Sequence, residues 1–228
     1  MSDWLRTIAF RVIFYAISVP IVLGVPLAAL GGQRVVIVYA DCWARVHRWA
    51  MRAILGIRSR VEGEIPGGQV LYVAKHQAMY ETVELQLILG SPAMVLKREL
   101  MRIPLWGWAT TLYGSIVVDR DASTKALRQL MRDGAAAKAS GRSVIVYPEG
   151  TRVPPGEKPP LRSGFAGLYK ALDLPVVPIA TNSGLLLPKK GAKHPGIVTF
   201  RIGAVIPPGL PREEAERRVW EAINALDA

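Results

Sequence analysis

Short apolar runs alternate with longer amphipathic stretches through most of the chain, and this pattern predicts strands that alternate with helices. The runs read as strands lie at 57–62, 70–73, 93–96, 115–118, 144–147, 176–179 and 197–206. The stretches with helical spacing lie at 83–89, 123–140, 165–172 and 211–225. Alternation of this kind indicates an α/β fold, with a mostly parallel twisted sheet flanked by helices. Pro178 in the sixth run indicates a special position in its strand.

The N-terminal part of the chain has a different pattern. Residues 12–33 include no charged side chain, and a helix of that length spans about 33 Å, close to the hydrocarbon thickness of a bilayer. Pro20, Gly24 and Pro26 interrupt the run, which favours a kinked or re-entrant segment over a straight span. A cleaved signal peptide fits less well, because the run is long and ends in a poor cleavage signal.

The stretch 43–55 also has helical periodicity, with Arg45, Arg48 and Arg52 on one face and Trp43 on the opposite one. Such a helix either lies among lipid headgroups or packs on a protein core, and the uncharged neighbouring run favours the membrane. His47 is then interfacial and not catalytic. We expect a helical membrane-anchoring hairpin at 1–56 and an α/β domain at 57–228, on the cytoplasmic face of the cell inner membrane.

Composition narrows the classes of function. The formal net charge is +11 and half of the residues are apolar, which suggests a nucleic acid, an anionic membrane or a phosphorylated ligand as partner. We find no recognised nucleic-acid module, so the lipid bilayer is the expected partner and nucleic acid is not. The lone cysteine excludes an intramolecular disulfide. With one cysteine and three scattered histidines, no metal site and no bound cofactor are expected.

His76 lies where the strand at 70–73 passes into a helix, and strand ends are where α/β proteins place their chemistry. Glu81 follows five residues later, about one helical turn into the next element, so its carboxylate can face the ring. A carboxylate that holds an imidazole fixes its tautomer and makes it a base. A core histidine beside a solvated glutamate is the alternative that this pair alone leaves open.

Other strand ends carry polar clusters, at 97–99, 119–120 and 149–152. The carboxyl ends of parallel strands lie along one edge of a sheet, so these clusters can converge with His76. Arginine and lysine bind phosphate, and Gly150 lets the backbone approach an anion. Such a site suits a phosphate monoester that bears a free hydroxyl. Glu149 can instead order its loop without touching substrate.

Several mechanisms are excluded by the sequence. It contains no Gly-x-Ser-x-Gly elbow and no phosphate-binding Walker loop, so a serine hydrolase and a P-loop enzyme are not expected. What remains is direct attack of a substrate hydroxyl on an activated acyl group. His76 would remove the proton, Glu81 would orient the ring, and backbone amides at the start of the helix after His76 would be candidate donors to the oxyanion.

Four motifs in order resemble the glycerolipid acyltransferase family, specifically the 1-acyl-sn-glycerol-3-phosphate acyltransferases. The similarity covers roughly 70–182. Its motifs are His76 to Glu81, the lysine-bearing segment 97–107 followed by 114–120, the Pro-Glu-Gly-Thr-Arg sequence at 148–152, and the proline-centred strand at 176–179. Glu81 departs from the family pattern, which has Asp at that position, and Glu84 is the alternative partner for His76.

The resemblance implies that His76 is the catalytic base and that Lys97, Arg120 and Arg152 hold the acceptor phosphate, beside Glu149, Gly150 and Thr151 of the third motif. It implies lysophosphatidate as acceptor, acyl-CoA or acyl-carrier protein as acyl donor, and a membrane-bound enzyme of phospholipid synthesis. Two other functions are weighed against it. One is acylation of another lysolipid, such as lyso-ornithine lipid, and the other is a non-catalytic protein that binds anionic membranes.

Overall fold

The computed structural model describes residues 2–118 and 124–227, without the side chains of 124–127. Strands in this part are β1 (Ile57–Glu62), β2 (Leu71–Ala74), β3 (Ala93–Lys97), β4 (Ile116–Val118), β5 (Val144–Val146), β6 (Val176–Thr181) and β7 (Gly196–Ile202). They form a sheet in the order β1-β7-β6-β2-β5-β3-β4. The pairs are parallel except β6 with β7, which is antiparallel. The mostly parallel α/β fold predicted from the sequence is confirmed.

Helices cover both faces of this sheet. Those described are α1 (Asp3–Leu23), α2 (Val25–Ala29), α3 (Gly32–Ala50), α4 (Tyr80–Ile88), α5 (Trp106–Tyr113), α6 (Thr124–Ala139), α7 (Ser163–Leu172), α8 (Ser183–Leu186) and α9 (Arg212–Ile223). A π-helical turn, Met51–Leu55, extends α3, and a 3-10 turn, Arg98–Arg102, follows β3.

The central strand β2 is buried along its whole length, so its side chains supply the core on both faces of the sheet. Tyr72 and Ala74 belong to the core cluster beneath α3 and α4. Leu71 and Val73 belong to the cluster beneath α6, α7 and α9. A strand that is apolar at consecutive positions is typical of a parallel sheet covered on both sides. The carboxyl end of β2, just before His76, is thereby held rigidly.

Pro178 lies in the central strand β6, paired with Val73 of β2. Its carbonyl accepts a hydrogen bond of 2.8 Å from the Gly203 backbone N–H, just beyond the end of β7. The N–H that proline lacks would face the same side, where the regular ladder between β6 and β7 has ended at Ile202. The proline therefore occupies an irregular point of an otherwise central strand.

The N-terminal helices form a hairpin, in which α1 packs against α3. The Trp43 indole donates to the Ser18 hydroxyl at 3.0 Å, and the Tyr39 hydroxyl donates to the Ile21 carbonyl at 2.8 Å. Helix α1 continues through Pro20 and ends before Gly24, so the chain reverses after the proline and not at it. By length and composition α1 could cross a membrane. Large apolar side chains along it are exposed, among them Trp4, Leu5, Ile8, Val12, Tyr15, Val19 and Leu23.

Two expectations for α3 were wrong. Arg48 does not face outward with Arg45: its Nε lies 3.0 Å from both carboxylate oxygens of Glu84, which is buried in α4. His47 is not at a membrane interface, because it is 1% exposed and packs against the rings of Phe14 and other aromatic residues. The arginine face predicted from periodicity is therefore partly an internal contact between the hairpin and the domain.

Candidate active site

The loop between β2 and α4 places His76 against Glu81. The His76 Nδ1 lies 2.9 Å from Glu81 Oε1. The Glu81 side chain is fully buried, whereas the His76 side chain is 16% exposed. The pairing predicted from the five-residue spacing is therefore present in the structure, and Glu84 is not a rival partner, because it is paired with Arg48.

Glu81 is held by three further donors. The backbone N–H groups of Gln77 and Ala78 each donate to Oε1 at 2.6 Å, and the Ser183 hydroxyl donates to Oε2 at 2.7 Å. A carboxylate with this many donors is fixed in place. These two amides precede α4 and are already bonded to Glu81, so neither is open to an oxyanion; the expectation for amides at the start of that helix stays a prediction. Ser183 follows the end of β6, and its position at a strand end was the signal that sequence reasoning missed.

Tyr147 lies beside the imidazole, with the two ring centroids 4.6 Å apart. Its hydroxyl is buried and has no hydrogen-bond partner among the residues that the structure describes. Burial, and then the negative charge of Glu81, raise the pKa of Tyr147 well above its usual value. The phenol is therefore neutral at the pH values where a histidine acts as a base. It packs against one side of the His76 imidazole as an uncharged ring.

Glu149 lies beneath the site and not in it. Its carboxylate is buried, with Oε1 at 3.1 Å from the Lys75 ammonium and Oε2 accepting the backbone N–H of His76 at 2.8 Å. Burial raises the pKa of Glu149, and the charge of Lys75 opposes that rise. The placement of Glu149 among the phosphate ligands is therefore corrected: both oxygens are used in holding the loop, which is the alternative that the sequence left open.

A large apolar cavity of about 1320 Å³ opens beside His76. Its wall includes α1, α3 and α5, and its polar lining includes Lys97, Gly150, Arg152 and Arg162. Two residues of the Pro-Glu-Gly-Thr-Arg motif thus reach the cavity together with the lysine at the end of β3. Arg162 was not found from the sequence, because it lies outside the motif.

Thr151 and Arg120 are the other two predicted phosphate ligands, and Thr151 is not among the described residues that line the cavity. Thr151 is exposed, between Gly150 and Arg152, which line the cavity. Arg120 lies outside the described residues, so its expected role stays a prediction.

Further positive charge gathers near Arg152. Burial, followed by the charges of Arg11 and Arg152, lowers the pKa of Lys193. The backbone N–H of Lys193 donates to the Thr7 hydroxyl at 2.8 Å, which ties its loop to α1. Mutual repulsion among these cations favours a bound anion close to Arg152.

The geometry defines a class of protein, an α/β enzyme in which a carboxylate-held histidine lines a large apolar cavity. Comparison with known proteins agrees. The chain belongs to the Acyltransferase family, whose family model matches residues 56–182.

Curated relatives are named 1-acyl-sn-glycerol-3-phosphate acyltransferase. The Pseudomonas aeruginosa protein is 39% identical over 190 residues, which cover 82% of this chain and 72% of that protein. The Saccharomyces cerevisiae protein is 29% identical over 70% of this chain, and the chain spans only 55% of its length. The crystal structure of PlsC, the 1-acyl-sn-glycerophosphate acyltransferase from Thermotoga maritima, has a TM-score of 0.76 at 24% identity, covering 98% of this chain and 95% of that one. That likeness supports the fold.

Proposed function

We propose that this protein transfers a fatty acyl group from an acyl thioester to the free hydroxyl of lysophosphatidate, which yields phosphatidate. The observation that carries the proposal is the His76–Glu81 pair beside an apolar cavity whose polar lining is rich in cations. A lysophosphatidate has a hydroxyl, a phosphate and an acyl chain, and this arrangement offers a partner for each. The names of the curated relatives support the same reaction.

The tautomer of His76 follows from its partner. Glu81 Oε1 can only accept a hydrogen bond, so Nδ1 carries the proton and Nε2 is left with its lone pair. Nε2 removes the hydroxyl proton as the hydroxyl oxygen bonds to the thioester carbonyl carbon. The carbon–sulfur bond then breaks, and the imidazolium returns the proton to the departing thiolate. Glu81 stabilises the imidazolium between these two steps.

The acceptor phosphate is held by Lys97 and Arg152 in this proposal, with Gly150 offering close backbone approach and Arg162 nearby. Arginine binds phosphate through parallel donors and lysine as a point charge. Arg120 and Thr151 complete the proposed set. Neither a metal ion nor a bound cofactor is needed, because the thioester already activates the acyl group.

Acyl-CoA or acyl-carrier protein is the proposed donor. The apolar lining of the cavity suits an acyl chain, since ligand pockets match the polarity of what they bury.

We also propose that α1 and the hairpin lie in the cell inner membrane with the site on the cytoplasmic face, since α1 exposes a row of large apolar side chains. Glu221→Cys in a Cys42→Ser background tests this with a membrane-impermeant thiol reagent, because Glu221 is exposed on α9, outside the hairpin, and Cys42 is the lone native cysteine. Labelling is expected only after the cells are opened, and labelling of intact cells would contradict it.

The reaction is tested by giving the purified chain a labelled acyl thioester with lysophosphatidate, its phosphate-free analogue or lyso-ornithine lipid. We expect diacylation of lysophosphatidate and little of the others. Arg152→Gln should raise the KM for lysophosphatidate about 10- to 100-fold, the usual effect of losing a charged hydrogen bond. Arg212→Gln is the matched control, since Arg212 is an exposed arginine of α9 paired with Glu216. Equal acylation of the phosphate-free lipid would contradict the proposal.

A non-catalytic membrane-binding protein is distinguished by His76→Ala. Loss of turnover with vesicle binding retained supports the enzyme. Turnover that survives this substitution removes His76 as the base.

A further inference from the structure

Lys75, the residue before the proposed base, is one of the largest fully buried side chains in the described part of the chain. Its ammonium lies 3.1 Å from Glu149 Oε1 and 2.9 Å from Asp227 Oδ2. It also donates to Asn224 Oδ1 at 2.6 Å and to the Glu157 carbonyl at 2.7 Å. A buried cation with this many acceptors is fixed in one position, and removal of it leaves two buried carboxylates without their counter-ion.

These partners come from three separate parts of the chain. Asn224 and Asp227 follow α9, Glu157 belongs to the proline-rich loop after β5, and Glu149 belongs to the motif at the end of β5. The same loop is fastened again where the Trp220 indole donates to the Pro159 carbonyl at 3.1 Å. The proline-rich loop at 153–160 is therefore attached to the rest of the domain by hydrogen bonds, among them those accepted by the carbonyls of Glu157 and Pro159.

The cluster reaches His76 from both sides. On one side, Glu149 bridges Lys75 to the His76 backbone N–H. On the other side, Asp227 Oδ1 accepts from the Gln77 side-chain amide at 2.8 Å, and Gln77 Oε1 accepts from the Gly184 N–H at 2.9 Å. Gly184 adjoins Ser183, which bonds to Glu81. The peptide N–H of the base and the side chain of the residue after it are thus anchored to one buried ion cluster.

We propose that Lys75 and Asp227 are positioning residues, which set the place of the His76 imidazole by holding Glu149 and Gln77 on either side of it. The inference rests on the proposed function and deepens it, because neither residue touches substrate. Lys75 is the counter-ion of Glu149 Oε1, while Glu149 Oε2 accepts the His76 N–H. Asp227 closes the cluster and ties the end of α9 to the loop after β2.

The main test is Lys75→Met, which keeps most of the length of the side chain and removes its charge. We expect kcat to fall about 10- to 100-fold with the KM for lysophosphatidate nearly unchanged, since the effect is on the base and not on the phosphate ligands. Lys138→Met is the matched control, because Lys138 also donates to a backbone carbonyl, that of Leu172, at a distance from the site. All variants are assayed at a temperature where circular dichroism shows them folded.

A pH profile separates positioning from a general loss of stability. Glu149 faces the Lys75 ammonium and the His76 peptide, and Lys75 is faced in turn by Glu149 and Asp227. Without Lys75, burial favours the protonated form of Glu149. Ionisation of Glu149 then leaves an uncompensated buried charge beside the His76 peptide, so Lys75→Met should show, relative to the wild type, an added loss of kcat as the pH rises.

The double variant Lys75→Met with Glu149→Gln completes the test. Glutamine can still accept the His76 N–H but carries no charge, so we expect most of kcat to return and the added pH dependence to vanish. The inference is overturned if Lys75→Met keeps the wild-type kcat and pH profile, or if its loss of kcat merely follows its loss of thermal stability as in Lys138→Met. Wild-type protein that fails to acylate lysophosphatidate overturns the proposed function instead, so the two failures are distinguishable.

Discussion

Glu81→Gln probes the charge of the group that holds the base. Glutamine has nearly the same shape as glutamate, and its amide oxygen can still accept from His76 Nδ1 and from the two backbone amides, while its NH₂ can face Ser183. The substitution therefore keeps the tautomer of the ring and removes the charge that stabilises the imidazolium.

The magnitude follows from the contact distance. The Glu81 oxygen lies 2.9 Å from Nδ1, and unit charges about 4 Å apart interact by about 4 kcal/mol at an effective dielectric constant of about 20. Part of this is retained by the amide dipole, so we expect about 2–4 kcal/mol, or a fall in kcat of about 30- to 1000-fold. The assay is acylation of lysophosphatidate at saturating thioester.

Glu84→Gln is a stringent control, because Glu84 is a buried glutamate of the same helix whose partners are Arg48 and Ser59. We expect it to lose stability and to keep kcat within about threefold while folded, since a broken buried ion pair acts on the fold. A Glu81→Gln enzyme with kcat within threefold of wild type would refute the assignment of Glu81. Equal losses in both variants would show that the effect belongs to α4 as a whole.

Three further outcomes are expected for stability. Tyr147→Phe should raise the free energy of unfolding in urea by about 1 kcal/mol, since it removes a buried hydroxyl without a partner among the described residues; a loss of stability would show that the hydroxyl is bonded. Leu168→Ala should lower that free energy by about 2–5 kcal/mol, since Leu168 is fully buried between α7 and the sheet; a change below 1 kcal/mol would contradict the core described. Burial raises the pKa of Tyr113 to about 12, so the folded state binds its proton more tightly, and this contribution to stability is lost as the pH rises above about 10. In Tyr113→Phe the urea midpoint of unfolding should fall less steeply with pH in that range than in the wild type. An unchanged dependence of the midpoint on pH would contradict this prediction.

The arrangement of strands and helices was predictable because each apolar run is bounded by turn residues. The run at 70–73 is followed by His76, and the one at 144–147 is followed by the motif at 148–152. The convergence of their ends follows from parallel pairing of β2 with β5. The His76–Glu81 contact followed from spacing alone, because both residues lie within one turn of the same loop and helix.

What escaped prediction depends on contacts between distant parts of the chain. Nothing near Lys75 indicates that its counter-ion is Asp227, which lies after α9. Arg48 has the spacing of a surface arginine, and only the packing of α3 on α4 gives it a buried partner. Glu149 belongs to a motif that suggests substrate binding, and its true neighbours are decided by which way the loop turns after β5.

The Arg48–Glu84 contact has a mechanical consequence. Glu84 lies one helical turn beyond Glu81 on α4. The helix whose Glu81 bonds to the imidazole is therefore also joined to the hairpin, through the ion pair of Glu84 with Arg48. The hairpin and the carboxylate that holds the ring are therefore linked through one helix. In the proposed membrane placement, the depth of the hairpin in the lipid therefore sets the height at which the reactive nitrogen meets the headgroups.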